Sequence, residues 1–370
     1  MPRRPADPPA AVPLYAQVQP GLEPVAADEI TRDLGGQVKK TSRGTVVFTV
    51  GAVTPAVLQL RTTEDVFLLA WGSNTLTYRP ADLPNFQRWT HRKPDWPGLF
   101  RLHHALRPKL KGKPTFRLVC QMQGEHAYKR AQARQALADG LAPHLPAGWF
   151  AADENAWLEV WLTIRGQTAT CGVRLSDRTM RHRTYKDDHV LASLRPTVAA
   201  ALVRLAGVGP GMTVIDPMCG AGTILAEAIM TAGRRRGDPV RVVGGDLDPN
   251  AVFVAGQNLQ HVGPAGLVRW DSRRLPLADA SVDRIVCNPP FGKQLSSPDE
   301  VPALYAAAAA EWHRVLKPGG RAVVLATEEE ALKGPLRMHG WRQTGGLGVR
   351  VLGQPAGVSV WRMPAAGGSV

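Results

Sequence analysis

Cysteine is scarce, with four in 370 residues. Cys120, Cys171, Cys219 and Cys287 are scattered, and no pair stands at the spacing of a metal site or a disulfide framework. That pattern excludes a zinc module and a stapled secreted scaffold, and it leads us to expect a metal-free cytosolic protein. Long apolar runs are missing too. Nothing approaches the roughly 18 to 20 apolar residues of a membrane span, and the Ala-rich stretch 303–310 is bounded by Glu311 and His313. No apolar segment of signal-peptide length follows the Pro-, Ala- and Arg-rich start, so residues 1–12 read as a disordered tail. There is no internal repeat.

Acidic residues are in short supply, and unevenly so. Residues 1–200 hold 27 Lys and Arg against 17 Asp and Glu, whereas residues 201–370 hold 18 against 14. Between Arg79 and Arg134, 13 basic residues meet only Asp82, Asp95 and Glu125, with His91, His103, His104 and His126 interspersed. Such an excess on one half of a chain implies a polyanionic partner, the plain alternative being a solvated face. Lys109, Lys111, Lys113, Lys129 and Arg130 are the candidate contacts to nucleic-acid phosphates. The chain is long enough for two or three domains with a well-buried core.

The most informative stretch is Val214-Ile-Asp-Pro-Met-Cys-Gly-Ala-Gly-Thr223. Thr213–Ile215 is β-branched and apolar, Asp216-Pro217 ends it, Gly220 and Gly222 follow, and 224–230 reads at helical period. This is strand, glycine turn and helix, an arrangement that opens a crevice at the strand's carboxyl end. A dinucleotide fingerprint fails, because Leu225 stands where Gly or Ala is required. A second strand, Arg241–Gly245, ends in Asp246, which is either a ribose-binding carboxylate or a helix cap. A third, Gly266–Arg269, precedes Asp271, which either takes an exocyclic adenine amine or is a turn aspartate. A fourth, Asp283–Cys287, runs into Asn288-Pro-Pro-Phe291. Cys287 reads as buried strand.

In these residues the sequence resembles the S-adenosylmethionine-dependent amino methyltransferases, whose cofactor loop and catalytic tetrad read like Asp216–Gly222 and Asn288–Phe291. The resemblance implies a Rossmann-like class I methyltransferase domain over residues 190–370. It implies S-adenosylmethionine as cofactor, held by Asp216, Pro217, Cys219, Gly220, Gly222, Thr223, Asp246, Leu247, Asp271 and Ser272. It gives Asn288, Pro289, Pro290 and Phe291 the catalytic role. Lys293 reads as a phosphate contact or a solvated loop residue, Arg234-Arg-Arg236 as a helix end or phosphate contact, and His189 and Ser193 as cofactor contacts or core and cap residues.

Ahead of this domain, Leu14–Val18 reads as a strand, Gly21–Leu34 as a helix, Val38–Lys40 with Thr45–Thr49 as a hairpin, Pro55–Arg61 as a helix and Val66–Trp71 as a strand. Residues 13–75 then form a ferredoxin-like βαββαβ unit. Further helices are expected over 83–90, 127–141 and 190–206, with strands over 115–120, 157–164 and 168–175. Alternating α and β elements with a basic bias, "Pro20-Gly-Leu-Glu23" and Gly172–Arg178 resemble the THUMP-containing proteins, which assigns 76–176 as a THUMP RNA-binding domain and 177–189 as a linker. The overall fold class is α/β throughout.

Taken whole, the chain resembles the THUMP-containing RNA guanine-N2 methyltransferases. The resemblance implies N2-methylguanosine formation in the acceptor stem of transfer RNA, with the acceptor and 3′ end gripped by the N-terminal half, and a monomer is expected. Ribosomal RNA is the alternative substrate. Adenine-N6 of DNA and protein glutamine share the tetrad, and a non-catalytic RNA-binding factor is the reading from another class.

Overall fold

The computed structural model describes residues 11–107, 112–176, 180–185, 194–234, 236–290, 300–351 and 353–365. The chain divides into two compact units, Met1–Gln17 with Ala27–Met180, and Val18–Ala26 with Arg181–Val370. No described helix is long and apolar enough to cross a membrane.

The first unit contains strand β1 (Val12–Gln17), the larger part of helix α1 (Glu23–Leu34), the hairpin β2 (Gln37–Ser42) and β3 (Thr45–Val50), and β4 (Asp65–Ser73). Pro55–Arg61 closes a single 3₁₀ stretch, Pro55–Gln59, in place of the expected full helix, because Leu60 is already extended. Helices α2 (Asp82–Arg92) and α3 (Trp96–Leu106), strand β5 (Thr115–Gln123), helix α4 (Arg130–Leu141), and strands β6 (Phe150–Ala151), β7 (Leu158–Arg165) and β8 (Thr168–Arg174) follow. All eight strands make one sheet in the order β2-β3-β1-β4-β8-β7-β5-β6. The joint is β4 against β8, antiparallel from Phe67↔Arg174 to Ser73↔Ala169, so the ferredoxin-like and THUMP-like parts share one sheet. Gly172 makes this pairing possible, since a Cβ there would lie 2.3 Å from the Leu68 carbonyl oxygen and 2.6 Å from the Tyr15 ring. Tyr15 instead stacks on Phe67, with ring centres 4.6 Å apart.

In the second unit, α5 (Pro196–Ala206) leads to β9 (Thr213–Asp216), α6 (Thr223–Ala232), β10 (Arg241–Asp246), α7 (Pro249–Leu259), β11 (Gly266–Arg269), β12 (Val282–Cys287), α8 (Glu300–Val315), β13 (Leu316–Ala326), α9 (Glu329–Met338) and the hairpin β14 (Arg342–Val351) and β15 (Gln354–Arg362). The α5 helix was expected from Val190. Residues 190–193 lie outside the described residues, and Arg195 is extended, as the residue before a proline is pressed to be. The sheet order is β11-β10-β9-β12-β13-β15-β14. Its first five strands are parallel, and β15 and β14 are antiparallel.

Alternate residues of the central strands feed two cores. Val214, Val286, Val323 and Leu325 pack with α5, α6 and α7 on one face, and Ile215, Ile285, Val324 and Ala326 pack with α8 and α9 on the other. A sheet covered on both faces explains why these strands read as continuous apolar runs. Strand order reverses between β9 and β12, and the crevice for a ligand lies beyond the carboxyl ends of those two strands.

Candidate active site

Asp216 is the last residue of β9 and is 1 % exposed. The turn behind it carries Gly220 and Gly222 at φ +48° and +74°, values glycine adopts at no steric cost. Gly222 has a second constraint, because a Cβ would sit 3.1 Å from that of Ala255 and 3.2 Å from Leu259. Leu225, the residue that broke the dinucleotide pattern, fills the space above Gly244, where a Cβ would lie 2.4 Å from its Cδ1. The loop is stitched to the end of β10 by two bonds. The Cys219 amide donates to the Gly245 carbonyl at 2.9 Å, and the Gly220 amide donates to Asp246 Oδ2 at 2.9 Å. Trp270 anchors its other side, with the indole N–H donating to the Pro217 carbonyl at 2.9 Å.

The helix-cap reading of Asp246 is answered by its neighbour. Asp248 accepts from the Asn250 amide at 2.9 Å and caps α7, while Asp246 stands at the tip of β10 in the cleft wall. Asp271 carries more than a turn. Its carboxylate accepts from the Arg273 amide at 2.9 Å, from Nε at 3.0 and 2.9 Å, and from Nη2 at 2.6 Å. These bonds hold its pKa below the ordinary carboxylate range.

At the end of β12, the Asn288 side-chain oxygen is buried and accepts no hydrogen bond among the described residues. Buried acceptors in folded proteins are nearly always paired, so an unpaired one in a cleft marks a place for a donor. Burial, with the charge of Asp246 adding to it, pushes Asp216 up to about 8. The Cys287 thiol, wholly buried, is pushed far above its usual value by burial and then by Asp216 and Asp246, which removes it as a nucleophile.

These groups surround one cleft of about 1130 Å³. Among the predicted residues, Asp216, Pro217, Cys219, Gly220, Thr223, Asp246, Leu247, Asp271, Ser272, Asn288 and Pro290 line it. Gly222 and Pro289 are buried and are not among the residues that line it. Phe291 lies outside the described residues, as do Lys293, His189, Ser193, Lys109 and Lys111. Lys113, Lys129 and Arg130 are exposed on the first unit. Sequence reading missed Arg273, Asp248 and the wall formed by Glu300, Ala303, Leu304 and Ala307 of α8. Their one signal was proximity, since Arg273 stands two residues after Asp271.

The lining is acidic. Asp216, Asp246, Asp248, Asp271 and Glu300 face a single cation, Arg273, among its described residues. Such a donor set suits a ligand with positive charge and hydroxyls, and is unsuited to a pyrophosphate. It fits S-adenosylmethionine, with a sulfonium, an ammonium and a ribose diol but no phosphate. No group of three or more His, Cys, Asp or Glu that could hold a metal occurs among the described residues.

Residues 183–353 match the family model described as RMKL-like, methyltransferase domain. A tRNA (guanine(6)-N2)-methyltransferase of Thermus thermophilus is 32 % identical over 228 residues, covering 61 % of this chain and 66 % of that protein. A U6 snRNA (guanine-N(2))-methyltransferase of Bos taurus is 31 % identical over 237 residues, covering 61 % of this chain and 45 % of its own length. The chain thus spans from under half to just under two thirds of the length of these curated relatives. The crystal structure of TrmN from Thermus thermophilus superposes with a TM-score of 0.75 at 27 % identity, over 95 % of this chain and 99 % of that one. With the class I sheet and its acidic cleft in place, S-adenosylmethionine is the cofactor, residues 183–353 form a methyltransferase domain of the matched family, and over most of its length the chain is similar to the guanine-N2-methyltransferases named above.

Proposed function

We propose that this protein methylates the exocyclic N2 amine of one guanosine in the acceptor stem of transfer RNA, and that it does so in the cytosol, where four free cysteines are at home. The observation that carries this reading is the buried, unpaired side-chain oxygen of Asn288 in the cleft. S-adenosylmethionine, when bound, supplies an electrophilic methyl group for in-line displacement. The protein's task is then to hold the acceptor nitrogen in line with it.

A guanine amine is a weak nucleophile because its lone pair is delocalised into the ring. Asn288 Oδ1 and the Pro289 carbonyl accept its two N–H bonds, which favours a pyramidal nitrogen and stabilises the charge that develops on it. Pro289 and Pro290 fix φ and keep both acceptors in place. Phe291 offers a face for the base, which has to leave its helix to arrive there. Asp216 and the 220–222 turn hold the methionine part of the cofactor, Asp246 the ribose, Leu247 the adenine face, and Asp271 with Ser272 the adenine edge.

The first unit supplies the RNA grip. Arg88, Arg92, Lys93, Arg101, Lys113, Lys129, Arg130 and Arg134 are exposed there. Lys129 and Arg130 stand at the N-cap and first position of α4, where cations oppose the helix dipole, so helix stability is not their purpose. Phe150, 47 % exposed with the Lys113 ammonium 4.9 Å over its ring, offers a stacking face with a charge beside it.

The test is mass spectrometry of nucleosides from transfer and ribosomal RNA, with and without the gene. Loss of N2-methylguanosine from one acceptor-stem position is the expected result. Loss from ribosomal RNA alone moves the substrate, and no change in either RNA overturns the reading.

A further inference from the structure

Arg273 is the one cation among the described lining residues of a cleft with five acidic side chains, and its guanidinium is held through Nε and Nη2 by Asp271. This engagement conflicts with the role just given to Asp271, because the oxygens that would read an adenine amine are covered by Nε and Nη2. The pair is open to solvent, with side chains 57 % and 33 % exposed. Exposed pairs of this kind are weak, so a ligand amine can take one of the oxygens at little cost. Once displaced, the guanidinium has Glu300 as the other acidic group acting on it, across the cleft on α8.

We propose that Arg273 is an RNA-phosphate contact released by the cofactor: adenine takes an oxygen of Asp271, and the freed guanidinium turns to the backbone of the incoming RNA. This rests on the assignment of RNA as substrate. It gives the cleft an order of events, because an empty cleft presents RNA with carboxylates and a neutralised arginine. A filled cleft presents a free guanidinium, suited to bidentate pairing with phosphate. Coupling of this kind is reciprocal, so RNA tightens cofactor binding by the same factor that cofactor tightens RNA binding. The value of an exposed pair sets that factor at about 1.5- to 5-fold.

The experiment measures the Kd of an unmodified transfer-RNA transcript with and without saturating S-adenosylhomocysteine, in the wild type, Arg273→Ala and Arg273→Lys. The wild type is expected to bind RNA about 1.5- to 5-fold tighter with the nucleoside present. Arg273→Ala is expected to lose this gain while keeping the RNA affinity of the empty protein and binding S-adenosylhomocysteine at least as well. Arg273→Lys, which cannot make the bidentate pair, is expected to bind RNA more tightly than the wild type when the cleft is empty and to show a smaller gain. The proposal is overturned if Arg273→Ala weakens RNA binding equally in both conditions, or keeps the wild-type gain. Absence of RNA binding and methylation by the wild type is a different result, and it sinks the assignment of RNA as substrate instead.

Discussion

Two side chains at the carboxyl ends of neighbouring strands, Asn288 and Asp216, stand out by their burial, one as an unpaired acceptor and the other as a raised carboxyl. On the proposed mechanism, removing the Asn288 acceptor takes away a hydrogen bond used only as charge develops on the amine, so Asn288→Ala is expected to lower turnover by about 10²–10³-fold. Titration calorimetry with S-adenosylhomocysteine should show cofactor affinity within a few-fold of wild type, and near-normal turnover would remove Asn288 from the mechanism. Asp216 makes a different, pH-dependent prediction. Its carboxyl stays protonated in the folded protein up to about 8, whereas in the unfolded chain it ionises near its ordinary value. Between those limits the folded state binds the extra proton, so this group's contribution to stability is present at low pH and is lost as pH rises through about 4 to 8. The loss is on the order of 5 kcal/mol. Asp216→Asn mimics the protonated acid, and its unfolding free energy should exceed that of wild type increasingly from pH 5 to 8. Parallel stability curves would mean the carboxyl ionises freely when folded. Residues of this kind were legible because each sits at the end of an apolar run, where the chain must leave the sheet. Arg273 was not, since its importance depends on its side chain folding back onto Asp271.

Elements were legible where local pattern decides them and obscure where distant contacts do. The strands of the second unit announced themselves by β-branched apolar runs, and the helices by period and caps. Helix α3 was missed because His103, His104 and Arg101 blur its apolar face, although Asp95 accepting from the Gly98 amide at 3.1 Å, with Pro97 in the first turn, marks a proper start. The joining of β4 to β8 rests on partners about a hundred residues apart, and no local pattern encodes it. The Pro20-Gly-Leu-Glu23 segment is a further case. Its residues belong to the second unit, where Leu22 and Val25 enter the core with Val349 and Val358, and Gln19 Nε2 donates to the Arg350 carbonyl at 2.6 Å. Gly21 permits this approach to β14. Its φ is +100°, and a Cβ would lie 2.1 Å from the Gly348 carbonyl oxygen. Gly21→Ala is therefore expected to cost roughly 2 kcal/mol or more, through backbone strain and overpacking together. Thermal unfolding should move down by about 4 to 8 °C. Gly348→Ala, where a Cβ meets nothing within 4 Å, is the control, and equal midpoints for the two variants would show that the close approach does not matter.

Across the whole molecule, charge is sorted by task. Most of the basic excess lies in the first 200 residues, while the cofactor cleft of the second unit is lined by five acidic side chains and one arginine among the described residues. Sorting of this kind would let a cationic cofactor and the proposed polyanionic substrate be attracted to different surfaces of one chain. Composition alone made the division legible, but it could not say which basic residues face the partner, and Arg165 illustrates why. It is basic and in the right half, yet its Nη1 donates within the fold, to the Arg43 carbonyl at 2.8 Å and the Thr45 hydroxyl at 3.4 Å. Lys113, Lys129 and Arg130 are exposed, and α4 gains nothing from the positive charges of the latter two at its N-terminus. Reversing all three to glutamate is expected to weaken binding of a transfer-RNA transcript at low salt. The plot of log Kobs against log salt should flatten by about 2, since each phosphate contact contributes roughly 0.7 to 0.9 to that slope. The same protein should bind S-adenosylhomocysteine normally, because none of the three lines the cleft. An unchanged slope with unchanged affinity would make this face a solvated surface and send the search for the RNA grip to Arg88 and Arg92 of α2 and to Lys93 at its C-terminal cap. A lower affinity with an unchanged slope would mean the substitutions act through the fold and not through phosphate contacts.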